Sequence, residues 1–370
     1  MNASVAQSLP SIAPFIGVGD THYARPLVVR FGAMGDTVIL LALIEALHKR
    51  FNTLVDVVTT GSWAPPLLQS QPAVGHVHML TTRGMPHWLS AEKKRLVAML
   101  RARGAGPTWL CNDDASLRAL LDCAGISADM RVDVRDHDFQ GREHFVDYWI
   151  RIAGLTPAAL PELADSDTAF HAIRVPPLYV LPEWRSNLNR WLQQRGLNDK
   201  PLVLIQAGNR RTMRWLPRQR PTNTKYWPEK RWAEVIDQVA RIEPSARVVL
   251  LGVPAEIRLN ADIQKYVNVA ATHNVAGELP IPHLLALQER AIGMISVDTG
   301  PAHSAAAVGC PLVVMFGSDK VSQYAPRSAT GAVEVLLKER QGEPSMLAIE
   351  TQHVVDSWER LRFRQHRRRK

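Results

Sequence analysis

Short uninterrupted apolar runs alternate along the chain with longer stretches whose apolar positions recur every three or four residues. Residues 26–31 (PLVVRF) form one such run, which ends at Gly32-Ala33-Met34-Gly35-Asp36 and is followed by Val38, Leu41, Ile44 and Leu47 at helical spacing. The pattern predicts strand, glycine turn and helix. Residues 54–60 (LVDVVTT) read as the next strand, 92–103 and 108–111 as a helix and a strand, and 144–153 as a helix. A stretch over 171–182 with Pro176, Pro177 and Pro182 reads as a linker. The pattern then restarts, with strands at 201–206, 247–252, 268–270, 293–297 and 312–316, the last clear one. Helices are expected at 231–242, 255–264, 281–289, 302–308 and 349–361. Such alternation implies parallel sheets with helices on their faces. The predicted organisation is a loose N-terminal tail (1–25), two α/β domains (26–175 and 176–358) and a basic C-terminal tail (359–370).

Length agrees with this division, since 370 residues suit two domains at roughly 100–200 residues each. A hydrophobic share of 46% and a charged share of 21% fit a globular chain and exclude wholesale disorder. The longest apolar stretch, residues 37–47, is interrupted by Glu45 and falls far short of the roughly 20 residues that span a bilayer. The first twenty residues lack the basic and apolar regions of a secretory signal. Cys111, Cys123 and Cys310 stand apart, with neither a CxxC pair nor metal-ligand spacing, so no metal site is expected and a reducing cytoplasm is the expected location.

The net charge of +9 is concentrated in two places. Residues 360–370 carry seven Lys or Arg and no acid, residues 210–231 carry eight against Glu229 alone, and the remainder of the chain stands at −5. Two local patches on a mildly acidic body fit a phosphate-handling loop and a surface-seeking tail, and no nucleic-acid partner is expected.

Three constellations can carry chemistry, each at the carboxyl end of an expected strand, where ligands gather in open parallel sheets. In Gly32-Ala33-Met34-Gly35-Asp36 the glycines, Gly35 among them, let a ligand approach the backbone, and Asp36 can accept a proton from an incoming hydroxyl or cap the helix. This turn is not the dinucleotide fingerprint GxGxxG, which argues against a nicotinamide dehydrogenase. In Gln206-Ala207-Gly208-Asn209, followed by the basic loop and Lys225-Tyr226-Trp227-Pro228, backbone amides and a lysine suit a diphosphate. In Asp298-Thr299-Gly300-Pro301-Ala302-His303 a tight turn opens a helix, with Pro301 expected at its first position and the free amides forming an anion site.

The segments PLVVRFGAMGDTVILLALIEAL, KYWPEKRWAEVI and SVDTGPAHSAAAVGCPLVVMFG resemble the family 9 glycosyltransferases, the ADP-heptose lipopolysaccharide heptosyltransferases. The resemblance implies an α/β fold of GT-B architecture, two Rossmann-like domains with parallel sheets facing a central cleft, the C-terminal one holding the donor. It implies an inverting transferase with no cofactor and no obligatory metal, taking a nucleotide-sugar donor, ADP-heptose, and a lipid-linked or glycan acceptor. Residue by residue, Asp36 matches the general base and Lys225 the lysine that neutralises the leaving diphosphate. Gly208, Asp298, Thr299, Gly300 and His303 match the donor-binding turns, Glu256 matches an acid that holds the ribose, and Gly35 lies on the acceptor side. The basic stretch 210–224 stands as an insertion against the family pattern, and Arg210, Arg211 and Arg214 within it are expected to bind an acidic acceptor, since guanidinium forks suit phosphate and carboxylate. The arginines of the basic C-terminal tail are expected to meet an anionic membrane surface. Another nucleotide sugar, a sugar-nucleotide epimerase or a non-catalytic scaffold of the same fold remain alternatives.

Overall fold

The computed structural model describes residues 15–18, 21–82, 89–164, 169–209, 220, 223–269 and 271–368. Phe15–Val18 (β1) and Thr21–Ala24 (β2) pair antiparallel, with Ile16 and Ala24 buried, so these residues are not the loose tail expected of them.

Five strands then build the first parallel sheet: Leu27–Arg30 (β3), Val55–Thr59 (β4), Val74–Met79 (β5), Thr108–Leu110 (β6) and Arg131–Asp133 (β7). Their order is β5-β4-β3-β6-β7, so in sequence the strands run 3-2-1-4-5 across the sheet. The helices are Met34–Phe51 (α1), Ala64–Leu68 (α2), Ala91–Arg103 (α3), Ala115–Cys123 (α4) and Phe145–Ala153 (α5). Every residue of β4 is buried, as expected for a parallel strand covered on both faces. Leu27 and Val29 of β3 pack with Leu96, Leu100, Leu117 and Leu121 of α3 and α4 into one apolar core. Ser90 and Asp114 fix where those two helices start, Ser90 accepting the Lys93 N–H and Asp114 those of Ser116 and Leu117.

The second sheet has six parallel strands: Leu202–Gln206 (β8), Arg247–Leu250 (β9), Thr272–Asn274 (β10), Gly293–Val297 (β11), Leu312–Phe316 (β12) and Val333–Leu337 (β13). Its order, β10-β9-β8-β11-β12-β13, is 3-2-1-4-5-6, that of a doubly wound Rossmann sheet. Around it lie Pro182–Gln194 (α6), Glu229–Ile242 (α7), Ile257–Gln264 (α8), Ile281–Arg290 (α9), Gly300–Ala307 (α10), Val321–Tyr324 (α11) and Thr351–Arg368 (α12). Trp227, Trp232 and Trp358 are buried in its core; Trp227 donates to the Ile349 carbonyl at 2.8 Å and meets Trp232 edge-on at 5.1 Å between centroids.

Two strands differ from expectation. The third strand of this sheet is β10: of the expected 268–270, residues 268 and 269 are drawn off the sheet by the Asp237 carboxylate, which accepts their N–H groups, and residue 270 lies outside the described residues. The sheet does not end at β12, since β13 pairs along its full length with that strand. The basic C-terminal stretch is no tail either: α12 is helical to Arg368, Arg362 pairs with Glu243 at 2.6 Å, and Arg360 and Arg364 both pair with Glu334.

Packing divides the chain into two units. Of the described residues, the first holds those up to Phe31 and those within Leu43–Asp138 and Trp149–Ile173; the second holds those within Gly32–Ala42 and Phe139–Tyr148 and those from Arg174 onward. The change near residue 175 coincides with the proline-rich linker. The short segments 32–42 and 139–148 depart from the expected division, because the start of α1 and the start of α5 pack with the second unit. Among the described residues no helix is long and apolar enough to cross a membrane.

Candidate functional site

In a doubly wound sheet the ligand crevice lies where the strand order reverses, outside the carboxyl ends of the strands. In the second unit that point falls between β8 and β11, which pair in parallel with Gln206 opposite Ser296. The turns Gln206-Ala207-Gly208 and Asp298-Thr299-Gly300 therefore emerge side by side.

On the β8 side Gln206 is buried, and its amide donates to the Gly208 carbonyl at 2.9 Å and to Glu256 Oε1 at 3.2 Å. Glu256, 3% exposed, also accepts the Val253 N–H at 2.8 Å. Burial pushes its carboxyl above the usual range, against the pull of those two bonds. A Cβ at Gly208 would lie 2.4 Å from Glu256 Oε1 and 2.7 Å from Leu259 Cδ2, so only glycine lets this loop cross the acid. Glu256 and Gly208 are thus packed directly against each other.

On the β11 side Asp298 is the meeting point. Lys225 Nζ donates to its carbonyl at 2.8 Å and to Oδ2 at 2.5 Å, and His303 Nε2 stands 3.7 Å from Oδ1. Burial works to raise the Asp298 carboxyl, but His303 and Lys225 outweigh it and hold the group below the ordinary carboxylate range. Lys225 is presented by a turn in which Asn223 Oδ1 accepts the Lys225 N–H and the Asn223 carbonyl accepts the Tyr226 N–H, both at 2.9 Å. Thr299 precedes α10 in extended conformation without capping it by its side chain; its hydroxyl lies 3.2 Å from Ser296 Oγ. Gly300 opens α10, so Pro301 takes the second position rather than the expected first. Pro228 immediately precedes α7 in extended conformation.

The glycine turn at the start of α1 belongs to this same unit. A Cβ at Gly35 would fall 2.9 Å from His303 Cδ2, and one at Gly300 would fall 2.8 Å from Met34 Cβ, so the two glycine turns meet backbone to backbone. Asp36, partly exposed, stands one residue beyond this contact. Its Oδ2 accepts the Ala33 N–H at 2.8 Å, the reach-back half of a capping box. It therefore caps α1 one residue along from the glycine that meets His303.

His144, unassigned from the sequence, completes the surroundings. It is 7% exposed, Nε2 lies 2.9 Å from the Ala325 carbonyl, and Nδ1 accepts the Val146 N–H at 3.0 Å, which makes it a neutral cap on α5. Burial, with Arg327 and His303 adding to it, lowers its pKa to about 4. The fold then binds fewer protons at this site than the unfolded chain, so the stability it contributes is complete above the ordinary value near 6.5 and is lost as pH falls from there to about 4. Asp298, whose pKa is also depressed, adds its own loss at still lower pH. Thermal unfolding between pH 7 and 4 is expected to show a decline that His144→Gln flattens; an equal slope in both proteins would contradict this assignment.

Arg210, Arg211 and Arg214 lie outside the described residues. Two other cations of the basic stretch are structural: Arg220, 4% exposed, bonds Glu229 at 2.5 Å and Asp262 at 3.0 Å, and Arg231 donates to the Leu347 and Ile349 carbonyls. The cysteines carry no chemistry at the site: Cys111 and Cys310 are wholly buried, and burial pushes the Cys111 thiol up to about 12.

Comparison with known proteins bears out the resemblance. Residues 183–348 match the profile of glycosyltransferase family 9 (heptosyltransferase). Among solved structures, the chain is similar to a family 9 glycosyltransferase from Veillonella parvula, with a TM-score of 0.73 and 17% identity over 92% of this chain and 97% of that one. It is similar to the E. coli ADP-heptose LPS heptosyltransferase II, with a TM-score of 0.72 and 21% identity over 92% and 99% of the two chains. The E. coli heptosyltransferase WaaC, solved with ADP, follows at a TM-score of 0.63 and 16% identity over 91% and 99%. At such identities the likeness is one of fold, the α/β GT-B class with Rossmann-like domains. No curated protein matches the sequence.

Proposed function

We propose that the protein is an inverting glycosyltransferase that moves heptose from ADP-heptose onto a lipopolysaccharide core or related glycan. The observation that carries this reading is the convergence of Lys225 and His303 on Asp298 at the switch point of a domain matching family 9. In the reaction the acceptor hydroxyl attacks the anomeric carbon from the side opposite the diphosphate and its proton passes to the Asp36 carboxylate. The bond between that carbon and the diphosphate oxygen breaks, and its electron pair leaves with the nucleotide. Inversion follows from this single displacement. Lys225 turns from Asp298 to the departing diphosphate, which also meets Thr299, Gly300 and the N-terminus of α10. Asp298 and His303 then serve the sugar, Glu256 and Gly208 the nucleoside side, and Gly35 borders the acceptor. No metal or cofactor takes part in this scheme. Thermal shift against ADP, UDP, GDP, dTDP and NAD tests it: selective stabilisation by ADP supports the reading, and a response to NAD alone would overturn it. Ligand at a hundred times its Kd adds about 2.7 kcal/mol, well within detection.

Arg210, Arg211 and Arg214 are proposed to hold an acidic group of the acceptor. Replacing all three with Ala is expected to raise the acceptor KM at least tenfold, about 1.4 kcal/mol, and to leave the donor KM within twofold; an unchanged acceptor KM would refute the role. Because Arg360, Arg362 and Arg364 are paired within the fold, attachment to an anionic cytoplasmic leaflet is proposed to rest on Arg367, Arg368, Arg369 and Lys370, at about 1 kcal/mol per charge near the surface. Truncation after His366 should reduce sedimentation with phosphatidylserine vesicles, and equal sedimentation would exclude that contact.

A further inference from the structure

We propose that Gln288 is a positioning residue for the donor, setting the roll of α10 so that His303 faces Asp298; this rests on the reading that the donor binds at the α10 turn. Gln288 lies on α9 and Ser304 on α10, both with 0% exposure. The Gln288 amide nitrogen donates to the Pro301 carbonyl at 2.8 Å, and the Ser304 hydroxyl stands 2.8 Å from Gln288 Oε1 and 3.1 Å from the Pro301 carbonyl. A hydroxyl has one proton, so the closed arrangement has Ser304 donating to Gln288 and Gln288 donating to Pro301. The reverse amide orientation would set Oε1 against the Pro301 oxygen, so the side chain is fixed in one sense.

Burying an amide and a hydroxyl is costly unless both are satisfied, and two apolar side chains would fill this space more cheaply. What the polar pair supplies is a hold on one peptide group. Pro301 has no N–H, so its carbonyl is the handle by which the first turn of α10 can be fastened from outside. Ser304 is fastened to α9 and His303 is its immediate neighbour. The same fastening therefore sets the direction in which the His303 side chain leaves α10, its ring standing 3.7 Å from Asp298 and against the backbone of Gly35.

The test is ADP affinity by titration calorimetry in wild type, Gln288→Met, Gln288→Glu and Ser304→Ala, with melting temperatures alongside. Gln288→Met keeps the shape and loses both bonds, and should raise the ADP Kd about tenfold. In Gln288→Glu the neutral acid can donate to Pro301 and accept from Ser304, whereas the carboxylate repels the carbonyl. Its Kd should therefore approach that of wild type at low pH and rise with pH, a profile that simple loss of packing does not produce. Ser304→Ala leaves the Pro301 bond in place and should raise Kd about threefold; it decides the matter should Gln288→Met fail to fold. Wild-type Kd in the folded variants, or a Gln288→Glu affinity that does not vary with pH relative to wild type, would overturn the inference. Failure of wild type itself to bind ADP would instead remove the donor reading beneath it.

Discussion

Asp36→Asn is expected to lower kcat by about 10²–10⁴-fold, the range for loss of a general base. The amide is the informative replacement because its oxygen can still accept the Ala33 N–H, so the capping contact survives while the proton acceptor is gone. Melting temperature and donor KM should therefore stay close to wild type. A variant that loses stability but turns over normally would show that Asp36 is only a cap. Alanine cannot make this distinction, since it removes both roles at once.

Lys225→Ala is the second large effect. With the ammonium gone, charge developing on the departing diphosphate loses a positioned cation, and kcat is expected to fall about 10²–10³-fold, as when one preorganised donor to a developing anion is removed. The donor KM should also rise, because the same charge attracts the ground-state diphosphate. Arginine should restore little: its planar fork does not reproduce a point charge that fits between the Asp298 carbonyl and carboxylate. Loss of Lys225 also withdraws one of the two partners that keep Asp298 ionised, so the acid side of the pH–rate profile should move upward. An unchanged kcat in Lys225→Ala would detach this residue from the chemistry.

Strands buried on both faces were the legible part of the fold. β11 and β12 match the apolar runs 293–297 and 312–316 residue for residue, because neither face needs a polar position. β5 escaped notice because its histidines break the run: His76 is exposed on an edge strand while Val74 is buried. β13 is likewise an edge strand with partly exposed positions. The third strand of the second sheet was misplaced because the contact from Asp237 to residues 268 and 269 spans more than thirty positions and leaves no local mark. The candidate site was legible where glycine punctuates a strand end, at Gly35, Gly208 and Gly300, since a Cβ at each would collide with a neighbouring segment. It was not legible at Gln206, Asn223, Gln288, Ser296 or His144. Each is an ordinary polar residue whose importance comes from what distant segments bring to it. His144 alone carried a hint, standing at the start of a predicted helix, where capping residues are placed.

The transferase reading is tested by the release of ADP from ADP-heptose by the purified protein, with and without Kdo-lipid A, together with the anomeric configuration of the product. ADP release that depends on the acceptor and a heptosylated product of inverted configuration are expected. Release of ADP that ignores the acceptor, or a product with retained configuration, would contradict it.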